Sequence, residues 1–138
     1  MPAFRKYLSF AGALVVALGA AAPAAAFSVA LKPLNPHAVQ TPMVGIAGAC
    51  ANPNSDARVA SAFFEVPTIA ALQGVGGTAG VAIELSPTGS LVSESVIQST
   101  GNPNLDRAAL RSARMSRFTP EVSNCSAIGG NYLYTVTF

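Results

Sequence analysis

The chain has 138 residues, of which eight are lysine or arginine, six are aspartate or glutamate and one is histidine, so its formal net charge is +2. The excess comes from Arg5 and Lys6, and the remainder of the chain is electrically balanced. A general basic surface for nucleic acid is therefore excluded, and the apolar composition is not that of a disordered tail.

Residues 1–26 have the pattern of an export signal. The basic pair Arg5-Lys6 precedes a long apolar run, and Ala24-Ala25-Ala26 offers small residues at both positions that a signal peptidase reads. We predict cleavage before Phe27 and a periplasmic or secreted protein. The alternative is an inner-membrane anchor with the domain in the periplasm, because no charge occurs between Lys6 and Lys32 and such a stretch spans about 30 Å of hydrocarbon.

Residues 27–66 are predicted to be an extension with several prolines and no clean hydrophobic period. Short apolar pieces at Met43–Ile46 and Val59–Phe64 are candidates for edge strands. The segment contains Cys50, and the second cysteine is Cys125. In an oxidising compartment an isolated pair most simply forms one disulfide, which would tie the extension to the last loop of the domain; two free thiols are the alternative.

The organised region begins at Pro67, since proline suits a first helical turn and the next residues form a short helix that ends at Gly74. The glycines that follow precede a strand and lack the lysine of a phosphate cradle, so they are predicted to form a loop. Alternation of apolar residues indicates a strand, which the turn Ser86–Gly89 joins to a returning strand at Leu91–Ser99. The apolar residues Leu91 and Val96 of this returning strand cannot lie on the same face of a regular strand, so a bulge is predicted near Ser93–Ser95.

A second helix follows, with Asn104 as the expected N-cap and Asp106 in the first turn, where it suits the helix dipole. Its buried stripe is predicted to consist of Leu105, Ala109, Leu110 and Ala113.

The opposite face of this helix carries three arginines, which occur at i, i+4 and i+7: Arg107, Arg111 and Arg114. Such a basic face can hold phosphate, lipid headgroups or an acidic partner, or can simply be solvated.

The chain closes with a strand of strong β propensity in which Tyr132, Tyr134, Val136 and Phe138 alternate with Leu133, Thr135 and Thr137. The element order helix-strand-strand-helix-strand predicts an α+β, two-layer domain over residues 67–138. We expect an antiparallel three-stranded sheet packed on two helices.

The ordered motifs of this region resemble the TonB C-terminal domain family. They are Val66-Pro67 with Ala70, the turn glycine Gly89, Ser99-Thr100-Gly101, Leu105-Asp106-Arg107-Ala108-Ala109 and Phe118-Thr119-Pro120. The family's tyrosine before the proline is Val66 here, and Ser116 stands where a tryptophan often occurs. Asn124-Cys125, just after the helix, is similar to a pair found in stand-alone members.

The resemblance implies a two-layer fold and binding by strand addition. In TonB the final strand pairs with the Ton box, an extended peptide of an outer-membrane receptor, which is β-augmentation of an open sheet edge. The corresponding edge here is Tyr132, Leu133, Tyr134, Thr135, Val136, Thr137 and Phe138. The alternative is that the N-terminal extension, held by the disulfide, covers this edge.

Three functions follow. The first is an exported TonB-like module that binds an extended peptide of an envelope protein or outer-membrane receptor. The second is a membrane-anchored energy transducer, against which a flexible leash of about 40 residues reaches only on the order of 35 Å. The third is a structural envelope protein that has lost the peptide site.

Enzymatic activity is not expected, and neither is a metal or cofactor. His37 is the only histidine and lies in the extension, where no partner for a catalytic base is evident. A zinc site is not expected either, because one histidine and two cysteines that do not form a Cys-x-x-Cys pair are too few ligands in the wrong spacing.

Overall fold

A computed structural model of the chain describes residues 27–35 and 50–138. The predicted signal and the candidate strand Met43–Ile46 lie outside these residues. In chain order the elements are β1 (Ser28–Pro33), β2 (Arg58–Ser61), α1 (Thr68–Gln73), β3 (Thr78–Leu85), β4 (Leu91–Gln98), α2 (Pro103–Met115), β5 (Arg117–Thr119), β6 (Glu121–Ser123), β7 (Ser126–Ile128) and β8 (Gly130–Thr137).

The main sheet is antiparallel and has the strand order β1-β8-β3-β4. It therefore has four strands where the sequence predicted three, because the extension contributes β1. The structure also has two short two-stranded sheets, β2 with β5 and β6 with β7. The α+β class and the antiparallel pairing agree with the sequence, while five strands are additional to the predicted order.

The core lies between the sheet and α2. On β3 and β8 the core residues occupy alternate positions, so they all lie on the face of the sheet that meets the core. From β3 they are Ala79, Val81, Ile83 and Leu85, and from β8 they are Tyr132, Tyr134 and Val136. The helix contributes Leu105, Ala108, Ala109 and Ala113, all buried, whereas the predicted stripe residue Leu110 is only partly buried.

The pairing of β4 with β3 contains two bulges, at which the register shifts. Leu91 and Ser93 oppose Leu85 and Glu84, so Val92 is the extra residue of one bulge. Ile97 is likewise unmatched at the other end of the strand. The bulges thus flank the predicted position instead of occupying it, and both extra residues are exposed.

The helices differ in how much they bury. Helix α1 is short and buries only Ala70, and it ends at Gly74 in the left-handed conformation. Helix α2 packs on β3 and β4. Its N-cap is Asn102, whose Oδ1 accepts from the Asn104 amide at 2.9 Å, not the predicted Asn104. Proline at position 103 occupies the first helical position, where no donor is needed, and this fixes the cap one residue before it.

The turn glycine Gly89 lies against the aromatic-x-proline motif Phe118-Thr119-Pro120. Its φ is +80°, which disfavours any residue with a side chain. A Cβ at this position would also lie 2.5 Å from the carbonyl oxygen of Phe118 and 3.1 Å from Cδ of Pro120. The hairpin between β3 and β4 therefore closes directly against the segment that follows α2.

Candidate peptide-binding edge and arginine face

The strand proposed as a peptide-binding edge, β8, is paired on both sides. β3 lies on one side, and β1 lies on the other in a register that runs from Ser28 opposite Thr137 to Pro33 opposite Tyr132. Phe138, the last residue of the predicted edge, exchanges two backbone hydrogen bonds with Gly77. The sequence left open whether this edge is free or covered, and in the structure the N-terminal extension covers it.

The covering strand is anchored through its side chains as well as its backbone. Val29 and Leu31 pack on the core cluster. Phe27 stacks on Phe64 with ring centroids 4.4 Å apart, and Phe64 meets Phe138 at 5.3 Å. Each such aromatic pair contributes about 1 kcal/mol beyond the area it buries. β1 thus begins at a three-ring cluster that also holds the end of the final strand.

A disulfide between Cys50 and Cys125 ties the middle of the extension to the turn between β6 and β7. The Cys125 amide donates to the carbonyl of Pro53 at 2.8 Å. The Asn124 amide donates to Oδ1 of Asn54 at 3.0 Å. Ser55 exchanges two backbone hydrogen bonds with Val122. The bridge therefore acts together with a set of local hydrogen bonds, and both of its cysteines are exposed.

The turn that carries Cys125 has unusual backbone angles. Asn124 and Cys125 connect β6 to β7 and have φ values of 50° and 64°. Two successive positive φ angles are those of the type I′ hairpin turn, in which Asn-Gly is preferred. Cysteine at the position where glycine is preferred therefore costs backbone energy.

The outer edges of the main sheet, β1 and β4, are poor acceptors of a further strand. On β4 the two bulges at Val92 and Ile97 interrupt the ladder. β1 is short and ends at Lys32-Pro33, and proline lacks an N–H donor. Bulges, lysine and proline are devices by which natural edges avoid pairing with other chains. Neither outer edge of the main sheet therefore offers a regular ladder to a further strand.

The three arginines of the predicted basic face are all exposed on α2, and two of them are ion-paired. The Arg111 guanidinium lies 3.2 Å from Glu65. The Arg114 guanidinium lies 2.5 Å from Glu94 of β4. Arg107 has no ion-pair partner among residues 27–35 and 50–138. Two of the three arginines are thus paired with glutamates of other elements, and Arg107 and Arg111 line one pocket together with Glu65 and Pro67.

The motif Ser99-Thr100-Gly101 positions the start of α2 through Asp106. One carboxylate oxygen accepts from the amide and hydroxyl of Thr100, each at 2.8 Å. The other accepts from the Ser99 hydroxyl at 2.5 Å. Partial burial raises the pKa of Asp106, but these hydrogen bonds outweigh it, and the net pKa lies below the ordinary value. The motif is thus a carboxylate-centred connection between β4 and α2.

Tyr132 on β8 donates a hydrogen bond to Glu121 at 3.1 Å. Burial of the ring, this hydrogen bond and the charges of Glu121 and Asp56 raise the pKa of Tyr132 to about 12. The phenol therefore stays neutral and links the start of β8 to β6.

Across the described parts of the chain, no group of three or more metal-ligating side chains occurs. Nor does any helix of residues 27–35 or 50–138 have the length and apolarity needed to cross a membrane.

The family model for the C-terminal region of the Gram-negative bacterial TonB protein matches residues 65–138. The chain belongs to the TonB C-terminal family. No curated protein matches the chain. TonB C-terminal domains are periplasmic and interact with outer-membrane receptors, which supports an envelope protein as the partner. β1, β2 and Cys50 all precede the matched residues, so the covering strand comes from outside the TonB C-terminal match.

Sequence reasoning missed β1 as a strand of the sheet. A weak signal was present, because Val29 and Leu31 alternate with exposed residues between Phe27 and Pro33. The second candidate strand of the extension, Val59–Phe64, overlaps β2, which pairs with β5. Neither pairing could be assigned from the extension alone, since each depends on a partner more than 50 residues away.

Proposed function

We propose that the protein is an exported, non-enzymatic protein-binding module of the cell envelope that recognises an extended segment of a partner by strand addition along β8. Its own β1 is the resident occupant of that position. The observation that carries the proposal is the continuous antiparallel pairing of six residues of the extension with β8, on the side away from β3. This pairing supports the proposal, because it shows that β8 can hold an extended segment along the edge expected from the resemblance to TonB.

The proposal requires that β1 can be exchanged for another strand. Its residues favour exchange, since four of the six are exposed and only Val29 and Leu31 pack on the core. Its connection opposes exchange, because the disulfide at Cys50 keeps the extension close to β8 at high effective concentration. A partner would therefore compete with an intramolecular strand and bind more weakly than it would to an uncovered edge.

The test uses a chain that starts at Phe27 and carries a protease recognition sequence inserted between residues 36 and 49. Cutting separates β1 from the disulfide while leaving Cys50 and Cys125 joined. A labelled peptide of residues 27–35 is then added, and its fluorescence anisotropy is followed. We expect incorporation of this peptide and competition by extended peptides from the periplasmic ends of outer-membrane receptors, but not by a peptide with Val29 and Leu31 replaced by aspartate.

A second function, a structural envelope protein without a peptide site, is favoured by the aromatic anchor Phe27–Phe64–Phe138. The same experiment separates the two. Exchange of the chain's own segment without competition by any receptor peptide would support the structural protein. A cut chain that stays folded and never exchanges β1 would contradict strand addition altogether. The anchored transducer depends on residues 1–26 and is tested by the intact mass of the protein from fractionated cells.

A further inference from the structure

We propose that the pocket between the segment before α1 and the first half of α2 is a binding site for a carboxylate group of a protein partner. The pocket has a volume of about 160 Å³ and is lined by Glu65, Pro67, Asn104, Arg107, Ala108 and Arg111. It is formed by elements other than β1 and β8, so the inference does not rest on strand addition.

The volume limits what the pocket can hold. Sites for whole cofactors or drug-sized ligands occupy about 300–1,000 Å³. A space of about 160 Å³ accommodates an acidic side chain or the end of a peptide but not a nucleotide. It exists because Ala108 is small and lies buried between two exposed arginines, and because Pro67 forms the facing wall. The size therefore indicates a side-chain or chain-terminal group.

The charges of the pocket determine the sign of that group. Arg107 and Arg111 are one helical turn apart, on the same side of α2. Glu65 neutralises Arg111 through one guanidinium nitrogen at 3.2 Å. Arg107 has no ion-pair or hydrogen-bond partner in the described chain, which leaves one positive charge unbalanced at the pocket. Two like charges at i and i+4 repel, so an added anion relieves an existing cost.

The geometry of guanidinium groups favours a carboxylate. Arginine presents planar pairs of N–H donors that match two carboxylate oxygens, and it remains charged at every accessible pH. Arg107 has all its donors available, and Arg111 uses only the nitrogen bound to Glu65. The side-chain amide of the exposed Asn104 adds a further donor at the wall. A carboxylate placed between the two arginines would complete an alternating set of four charges with Glu65.

The experiment titrates the ¹⁵N-labelled, disulfide-bonded protein starting at Phe27 with two blocked tripeptides, acetyl-Gly-Asp-Gly-amide and its Asn counterpart. Acetyl-Gly-Gly with a free C-terminus serves as a third probe. Shifts of the Arg107 side-chain N–H and the Ala108 amide report binding. We expect saturable shifts with the Asp peptide and at least fivefold weaker ones with the Asn peptide. Saturation by the free C-terminus instead of the Asp peptide would assign the site to chain ends.

Two variants with the same change in net charge separate a site from general attraction. R107Q should weaken binding of the Asp peptide at least fivefold, whereas R114Q should leave it unchanged because Arg114 is paired with Glu94 outside the pocket. E65Q removes the resident carboxylate and should tighten binding severalfold. Equal effects of R107Q and R114Q, or equal shifts with the Asp and Asn peptides, would overturn the proposal.

Discussion

Tyr134 donates a hydrogen bond to Ser112 across a distance of 2.8 Å, and its direction is fixed by the groups around it. The Ser112 hydroxyl donates to the carbonyl of Phe63, which can only accept. Its proton is thus used, so Tyr134 must be the donor, and Ser116 in turn must donate to Tyr134. The Phe63 amide donates to Ser116, which closes a ring of four hydrogen bonds.

This ring connects α2 and β8 to the segment that carries Phe64. Both backbone groups of Phe63 are satisfied by hydroxyls of α2 and its C-cap, with Tyr134 between them. Phe64 is thereby presented to Phe27 and Phe138. A buried polar network in the centre of the domain consequently supports the anchor of the covering strand.

Replacing Tyr134 with phenylalanine should destabilise the protein by about 2 kcal/mol. The substitution leaves the Ser116 hydroxyl without an acceptor and Ser112 without a donor in a buried position. Chemical denaturation of the disulfide-intact protein measures the change. Tyr132→Phe is the matched control, because its hydroxyl makes one hydrogen bond, to Glu121, and should cost less. Equal losses for both variants would show that the ring is not cooperative.

The covering strand should detach when a charge is placed on its inner face. Val29→Asp puts a carboxylate against the core and should destabilise β1 by about 2 kcal/mol or more. Ala30→Asp, on the exposed face one residue away, should change stability little. Hydrogen exchange of the β8 amides should accelerate at least tenfold in the first variant only. Similar exchange in both variants would mean that side-chain burial does not hold β1 in place.

The sequence predicted those parts of the fold in which a single element carries its own pattern. β3 and β8 have strict alternation because one face of each meets the core, and parity alone identifies the residues of that face. β1 escaped because only Val29 and Leu31 are partly buried, and its place beside β8 is set by a distant partner. Local periodicity carries no information about such pairing.

The arginine face illustrates a second limit. Helical spacing correctly places Arg107, Arg111 and Arg114 on the exposed part of α2. Their roles, however, depend on Glu65 and Glu94, which come from different elements. A helical projection cannot show which of three equivalent charges is left unpaired. The candidate carboxylate site therefore emerges only from the tertiary structure.

Removing the disulfide should cost stability through the loop that it closes, and glycine at residue 125 should recover part of that loss. The cysteines are 75 residues apart, for which the chain-entropy model gives about 4 kcal/mol, and measured losses are typically about 2–5 kcal/mol. Comparison of Cys50→Ala/Cys125→Ala with Cys50→Ala/Cys125→Gly isolates the turn. Glycine should recover about 1 kcal/mol because residue 125 has φ of 64°. Thermal unfolding of both variants measures the difference, and equal midpoints would show that the turn relaxes without the bridge.

The stability of the connection between β4 and α2 should depend on pH in the acid range. The folded pKa of Asp106 is lowered, so its contribution is complete above the unfolded pKa of about 3.9 and is lost as the pH falls through the folded value. The carboxyl ¹³C titration should give a midpoint below that of a peptide aspartate. Asp106→Asn should flatten the acid limb of the stability curve, and Asp56→Asn serves as the control. A midpoint at or above the peptide value would contradict the proposed role of Ser99 and Thr100.

At alkaline pH, ionisation of Tyr132 should reduce the stability of the folded protein. Its folded pKa of about 12 exceeds the unfolded value of about 10, so the neutral phenol is favoured in the folded protein. The stabilisation is therefore complete below about pH 10 and is lost as the pH rises through the folded pKa.

Absorbance at the tyrosinate band should show Tyr132 ionising late. Glu121→Gln should lower the midpoint of this ionisation, because it removes a hydrogen-bonded negative charge. Tyr132→Phe identifies the transition, since only Tyr134 then remains among the described tyrosines. A Tyr132 midpoint near 10 that is unaffected by Glu121→Gln would mean that the link between β6 and β8 is not maintained in solution.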